Sequence, residues 1–174
     1  MKKIMGKILN EILDWSKVIV TALAIAFIVN NTLIANAQVP TGSMETTVMA
    51  GSRIIINRLA YVSENPQRGD IIAFYFPDDG KTQYLKRIIG LPGEKIQGID
   101  GKIYINDEPL AESYIQEAIN DDFGPYVIPE GAYFVMGDNR NNSLDSRYWI
   151  DKFVEKDEII GKAVFEYYPK LKWL

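Results

Sequence analysis

The chain has 174 residues, no cysteine, no histidine and a net charge of −4. Those absences exclude disulfide frameworks, thiolate metal centres, Ser-His-Asp triads and most zinc sites. With 47% hydrophobic and 24% charged residues the chain is able to bury a core, and its charge, spread along the sequence, offers no footprint for nucleic acid.

Residues 1–17, "MKKIMGKILNEILDWSK", place Ile4, Ile8, Leu9, Ile12 and Leu13 at helical spacing with lysines on the other side. Val18 to Val29, "VIVTALAIAFIV", carries no charge. It is shorter than the run of about 20 residues that spans a bilayer, but "NNTLIANA" continues it without charge to Ala37. Trp15 and Lys17 suit a membrane interface. Lys2, Lys3, Lys7 and Lys17 precede the apolar run, so the positive-inside rule leaves the N-terminus in the cytoplasm and the chain beyond about residue 38 outside. Two other readings fit the same segment: a secretory signal cut after Ala35-Asn36-Ala37, and a buried core helix. The organisation expected is a cytoplasmic tail and transmembrane anchor over 1–37, then an extracytoplasmic domain over 38–174.

From about residue 50 the pattern is that of strands. "SRIIINRLAYV" and "GDIIAFYFP" are β-branched and aromatic, and "DDGK" at 78–81 turns the second of them into "TQYLKRIIG". "EKIQGIDGKIYIN" reads as a hairpin around Asp100-Gly101. Residues 106–128 are polar and irregular, expected as a long loop with some helix. "GAYFVMGDN" is a further strand, followed by the loop "RNNSLDSRYW" and a last strand, "EIIGKAVFEYY". The fold class expected is mainly β: an antiparallel β-sheet domain preceded by one N-terminal transmembrane helix. The aromatic segments "RYWIDKF" and "FEYYPKLKWL" suit either a lipid headgroup layer or the completion of a core.

Three segments carry possible chemistry. "VPTGSMETTVMAG" holds Ser43 among small residues, and a nucleophilic serine needs a base within hydrogen-bond reach. Without histidine, lysine is the side chain able to serve, provided its pKa of about 10.4 is lowered; two units cost about 2.7 kcal/mol, which burial against apolar groups can supply. Lys86 in "QYLKRIIGLPGE" meets that condition, because strand alternation puts Tyr84, Lys86 and Ile88 on one face and Leu85, Arg87 and Ile89 on the other. An edge-strand lysine that guards against aggregation is the plainer reading. The third segment, "GDNRNNSLDSR", crowds Asp138, Asn139, Arg140, Ser143, Asp145, Ser146 and Arg147 into one loop. Counted from Asp138, an EF-hand would need ligands at Arg140 and Trp149, so a calcium loop fails. Arg147 paired with Asp145 or Asp138 would instead brace the loop bidentately.

Taken together and in this order, an N-terminal anchor, "PTGSMETTV", "GDIIAF", "YLKRIIGLPGE" and "GDNRNNSLDSR" resemble the bacterial type I signal peptidases, membrane-anchored Ser-Lys proteases that remove signal peptides from exported preproteins. The resemblance implies that Ser43 is the nucleophile and Lys86 the general base. It implies further that the Thr41 hydroxyl and the Ser43 N–H form the oxyanion hole, that Ser143 orients Lys86, and that Asp145, Arg147 and Asp138 hold the site together. No metal or cofactor is implied; the partners are preproteins with small residues, often Ala-x-Ala, before the cut, and membrane lipid. Ala35-Asn36-Ala37 itself fits that pattern and leaves self-cleavage open. Thr46 stands where the family usually has proline, and Glu94 where it often has aspartate. The spacing from Lys86 to Gly137 is too short for the inserted domain of larger relatives. Two rivals remain: a self-cleaving Ser-Lys protease of the SOS-repressor type, which would carry a DNA-binding segment in place of residues 1–37, and a tethered β-domain that binds a partner and catalyses nothing.

Overall fold

The computed structural model describes residues 2–174, apart from the side chains of 2–5, 8–10, 28, 30 and 31. The helical positions Ile4, Ile8 and Leu9 and the lysines Lys2 and Lys3 therefore lie outside the described side chains. Helix α1 runs Lys2–Ile28 and ends in a π-helical turn, Val29–Leu33. Its apolar side chains from Ile12 to Phe27 stand exposed, Trp15 by 68% and Phe27 by 69%. Among the described residues no helix is long and apolar enough to cross a membrane.

The charge-free run "NNTLIANA" prolongs the helix only through that π-helical turn, to Leu33, and not to Ala37 as the sequence suggested. It turns and enters the sheet as β1, Ile34–Gln38. Asn and Thr are weak helix formers, and the alternation of Ala35 and Ala37 lets both pack on the core beneath. Ala35-Asn36-Ala37 is thereby hydrogen-bonded to Ile54–Ile56, and a cut after Ala37 requires β1 to leave the sheet.

The remaining strands are β2 Arg53–Asn57, β3 Ile71–Tyr75, β4 Gln83–Gly90, β5 Lys95–Ile99, β6 Lys102–Ile105, β7 Glu108–Pro109, β8 Phe123–Val127, β9 Ala132–Met136, β10 Val154–Glu155, β11 Ile159–Tyr168 and β12 Lys172–Trp173. They form two antiparallel sheets. The larger has the order β1-β2-β11-β3-β4-β9-β10, with β12 alongside β11, and the smaller has the order β7-β6-β5-β8. Strand β3 is apolar throughout because both of its faces are covered: Ile71 and Ala73 join a cluster with Met44, Val48, Ile54 and Ile56, while Ile72 and Phe74 join another with Ile88, Val135 and Trp149. Each such buried side chain contributes about 1.5–3 kcal/mol of apolar transfer. A third cluster, around Ile89, Ile96, Ile103 and Phe134, seals the smaller sheet against β4 and β9.

The β3–β4 and β5–β6 hairpins fall where the turn residues put them. The second turns through Asp100 at φ 50° and Gly101 at φ 79°, the left-handed pair that a two-residue hairpin needs. Residues 106–128, expected as a long loop with some helix, hold no helix; β7 and β8 lie within them, joined by turns over 110–122. Trp149 is a core residue, 3% exposed, its indole packed on Phe74, Phe76 and Tyr84. It has no face to offer lipid, whereas Trp173 is 79% exposed.

Candidate active site

The turn that carries Ser43 is held from below. Val39 N–H donates to Ser52 O at 2.9 Å and Gly51 N–H to Val39 O at 2.7 Å, closing the loop at its neck. Met44 and Val48, four residues apart and fully buried, are joined by a Val48 N–H to Met44 O bond of 2.8 Å. This turn is thus nailed into the core by its two apolar side chains, and the residue just before it, Ser43, faces a cavity of about 490 Å³. Lys86 Nζ donates to Ser43 Oγ at 2.6 Å, and Thr41 Oγ1 lies 3.4 Å from the same oxygen.

Lys86 is 4% exposed. Alternation along β4 does put Tyr84 on its face, with the ring 5.6 Å from the amine. That ring in turn stacks on Phe76 at 4.8 Å and meets Trp149 at 5.8 Å, so the amine stands beside an aromatic cluster. Burial lowers its pKa to about 8; Asp145 pulls it up, Arg147 down, and Asp138 up again. The apolar surroundings win over the two carboxylates because each carboxylate is already engaged by an arginine.

The loop after β9 is fastened in two places. Asp145 accepts Arg147 Nε at 2.8 Å, Arg147 Nη2 at 2.9 Å and the Gly137 N–H at 3.0 Å. Asp138 pairs with Arg87 and not with Arg147: Nε donates to Oδ1 at 2.8 Å and Nη2 to Oδ2 at 2.6 Å, with the Thr47 hydroxyl donating to Oδ2 at 2.5 Å. Both arrangements are bidentate forks between buried partners. The loop is also bonded to the turn that carries Ser43, Asn139 N–H to Ser43 O at 3.1 Å and Asn139 Nδ2 to Gly42 O at 3.1 Å. Ser143 is buried, but its Oγ has no hydrogen-bond partner among the described residues; no bond to Lys86 is formed.

The family model for "Signal peptidase, peptidase S26" matches residues 12–168. The chain belongs to this family. Among its relatives, a probable signal peptidase I-2 of Synechocystis sp. is 37% identical over 166 residues, 92% of this chain and 75% of the relative. Signal peptidase I T of Bacillus subtilis is 36% identical over 170 residues, 92% and 87% of the two chains. The crystal structure of a signal peptidase I from Enterococcus faecalis is similar with a TM-score of 0.50 and 38% identity, over 57% of this chain and 97% of that one.

For an S26 peptidase the site residues picked from the sequence fall in one place. Ser43, Lys86 and Thr41 line the cavity, while Asp138, Asp145 and Arg147 form the bracing behind it. The sequence reading passed over Arg87 as a strand residue on the far face, and it missed Thr47 and the acid that meets Arg140. Thr46, in the place of the usual proline, accepts a hydrogen bond from Gln116 Nε2 at 3.2 Å. Glu94 closes the turn after β4 by taking the Leu91 N–H at 2.8 Å and Arg68 Nη2 at 2.5 Å, a span that the longer acid reaches.

Gly137 is where the loop and the Ser43 turn meet. A Cβ there would lie 2.3 Å from Ser143 Oγ and 2.4 Å from Ser43 O, closer than any real contact. Gly137→Ala must therefore push the loop off the turn. Overpacking of this kind costs about 1–3 kcal/mol, and, with Ser43 as the nucleophile, its displacement should reduce kcat/KM by about tenfold, since misplacing a reacting group by an ångström can cost a hundredfold. Thermal melts and peptide-cleavage rates of the variant measure both.

Proposed function

We propose that this peptidase removes signal peptides from exported preproteins, with Ser43 as nucleophile and Lys86 as the base that activates it. The observation that carries the reading is the 2.6 Å contact between two buried side chains, Lys86 Nζ and Ser43 Oγ, made by an amine whose pKa has fallen to about 8. Neutral Lys86 takes the Ser43 proton as Oγ bonds to the scissile carbonyl carbon. The resulting oxyanion is met by the Ser43 N–H and the Thr41 hydroxyl, donors of a kind whose individual loss costs about 3 kcal/mol. The Lys86 ammonium then gives its proton to the departing amine, leaving an ester on Ser43. Water, deprotonated by the same amine, hydrolyses that ester and restores the serine. Ser143, between the cavity-lining Asn142 and Leu144 and with its hydroxyl unpaired, is the proposed orienting partner of Lys86 once Ser43 has given up its proton.

The substrate in this reading is an extended peptide. β9 pairs with β4 only from Arg87 onward, which leaves one backbone edge of Gln83–Lys86 without a strand among the described residues, suited to β-augmentation. The cavity floor of Ala37, Ile54, Ile56, Ala73 and Leu85 is apolar, and small side chains before the cut suit it. We read residues 1–37 as tail and anchor, with the sheet already beginning inside that range at Ile34, and 38–174 as the extracytoplasmic catalytic domain. The solvent-facing apolar side chains of α1 and of Leu171 and Trp173 support contact with lipid.

The test is a cleavage assay with full-length protein in detergent and phospholipid, using a preprotein that bears an Ala-x-Ala site, with the product termini read by mass spectrometry. A cut after the second alanine by wild type, and none by Ser43→Ala, is the expected result. No cut by well-folded wild type would favour a tethered domain that only binds.

A further inference from the structure

Residues 110–122 contain neither helix nor strand, yet they touch each of the three segments that carry the site. Gln116 reaches Thr46 in the nucleophile turn. The Tyr114 ring lies 4.0 Å from the guanidinium of Arg87, the neighbour of Lys86 on β4. Asn141, in the loop after β9, donates through Nδ2 to Ala118 O at 2.9 Å and accepts the Asn120 N–H at 3.0 Å.

The buried centre of this strap is Glu112. It accepts Arg140 Nη2 at 2.5 Å, Arg140 Nη1 at 2.7 Å and the Tyr114 hydroxyl at 2.6 Å, and the side chains of Arg140 and Glu112 are 1% and 3% exposed. Charge balance explains why it is needed. Three arginines are buried around the site, Arg87, Arg140 and Arg147. Asp138 is occupied by Arg87 and Asp145 by Arg147, so both acids of the loop are spent before Arg140 is met. Arg140 is also a joint of the loop: its Nε donates to Gly137 O at 3.1 Å, and its own carbonyl receives Arg147 Nη2 at 2.5 Å. Burial works against the Arg140 charge, but the hydrogen bonds and charge of Glu112, with smaller contributions from Tyr114 and Asp138, more than offset it and hold the guanidinium above its ordinary pKa.

We propose that Glu112 is a positioning residue for the peptidase reaction: by fixing the buried Arg140 it sets Gly137, Asp145 and Arg147, and through them the groups among which Lys86 gives and takes a proton. The proposal rests on the Ser43–Lys86 reading. Glu112 touches the chemistry only through Arg140, and its removal leaves a guanidinium buried without a counter-charge. Such a group draws in water or shifts, and either response displaces the Gly137 carbonyl that it holds.

The experiment compares wild type, Glu112→Gln, Tyr114→Phe, Arg140→Gln and the Glu112→Gln/Arg140→Gln pair, all as full-length protein in detergent and phospholipid. Each is assayed for kcat and KM on the preprotein, well below its own Tm, with Ser43→Ala alongside. Glu112→Gln is expected to lower kcat at least tenfold with KM within threefold. Tyr114→Phe, which loses only the hydroxyl that Glu112 accepts, is expected to lower kcat three- to fivefold. The double variant should be no slower than the slower of its two parents, because the partners act as one unit. A kcat within twofold of wild type for folded Glu112→Gln overturns the proposal, as does a loss confined to KM or losses that multiply in the double variant. If Glu112→Gln does not fold, an unchanged kcat in Tyr114→Phe overturns it instead. Cleavage that survives Ser43→Ala brings down this proposal together with the Ser43–Lys86 reading; cleavage that needs Ser43 but ignores Glu112 brings down this proposal alone.

Discussion

Lys86→Met should lower kcat/KM for a preprotein by about 10⁴–10⁶-fold, the loss typical when one member of a catalytic unit is removed and only binding and the oxyanion hole remain. The same change should leave Tm unchanged or raised. Methionine has nearly the length of lysine and no charge, and it would sit beside the ring of Tyr84, which packs with Phe76 and Trp149. What it removes is a buried amine whose desolvation is unfavourable. What it leaves intact is the bracing: Asp145 keeps Arg147 and Asp138 keeps Arg87, so no carboxylate is orphaned by the loss. The lost bond to Ser43 frees a hydroxyl that borders a cavity and can meet water. Stability and activity are thus expected to move in different directions, which separates a base from a structural lysine. Retention of more than a tenth of the wild-type rate would mean that another group takes the Ser43 proton. A large fall in Tm would mean that Lys86 serves mainly to hold β4 and the Ser43 turn together.

Much of this was legible in the sequence, for physical reasons. The want of histidine leaves lysine as the candidate base, and alternation in "QYLKRIIG" puts Lys86 on the same face as Tyr84, where it is buried. The β-branched and aromatic runs of β2, β3, β4, β9 and β11 announce themselves, and Asp100-Gly101 marks a hairpin that only left-handed residues can turn. β1 was hidden because "IANAQ" has the composition of neither a good strand nor a good helix. It is a strand because β2 presents a hydrogen-bonding edge and the core accepts Ala35 and Ala37, and sequence periodicity does not carry tertiary context. Trp149 suited lipid or, more often for such residues, a core; the aromatic cluster beside Lys86 settles it as core. Glu112 was hidden in a polar stretch without period. A charge count would have pointed to it: the loop 137–147 and its neighbour Arg87 hold three arginines against two aspartates, and a buried excess cation calls for an acid from elsewhere in the chain.

Activity should also climb steeply with pH, and stability should follow it over a different window. With a folded pKa of about 8, Lys86 is neutral in about 1% of molecules at pH 6, about 10% at pH 7 and about 90% at pH 9. If the neutral amine is the base, kcat/KM should rise about ninetyfold from pH 6 to pH 9, with its midpoint near the pKa of the free enzyme. The unfolded chain keeps an ordinary lysine pKa near 10.5, so the folded value is depressed. Below pH 8 both states carry the proton, and the burial of a cation weighs on the fold in full. Between pH 8 and 10.5 the unfolded state holds a proton that the folded state has released, so stability increases with pH there. Above 10.5 both states are neutral and the gain is complete, on the order of 3 kcal/mol for a shift of this size. Tyr61 and Tyr114, whose pKa values burial raises, act in the opposite sense at high pH, because their unfolded forms ionise first. They are present in wild type and in Lys86→Met alike, so the difference in unfolding free energy between the two proteins isolates Lys86. That difference should shift in favour of wild type as pH rises from 8 to 10.5, and be flat below. A difference independent of pH, in a wild type whose rate still rises through pH 8, would assign the kinetic pKa to a group other than Lys86.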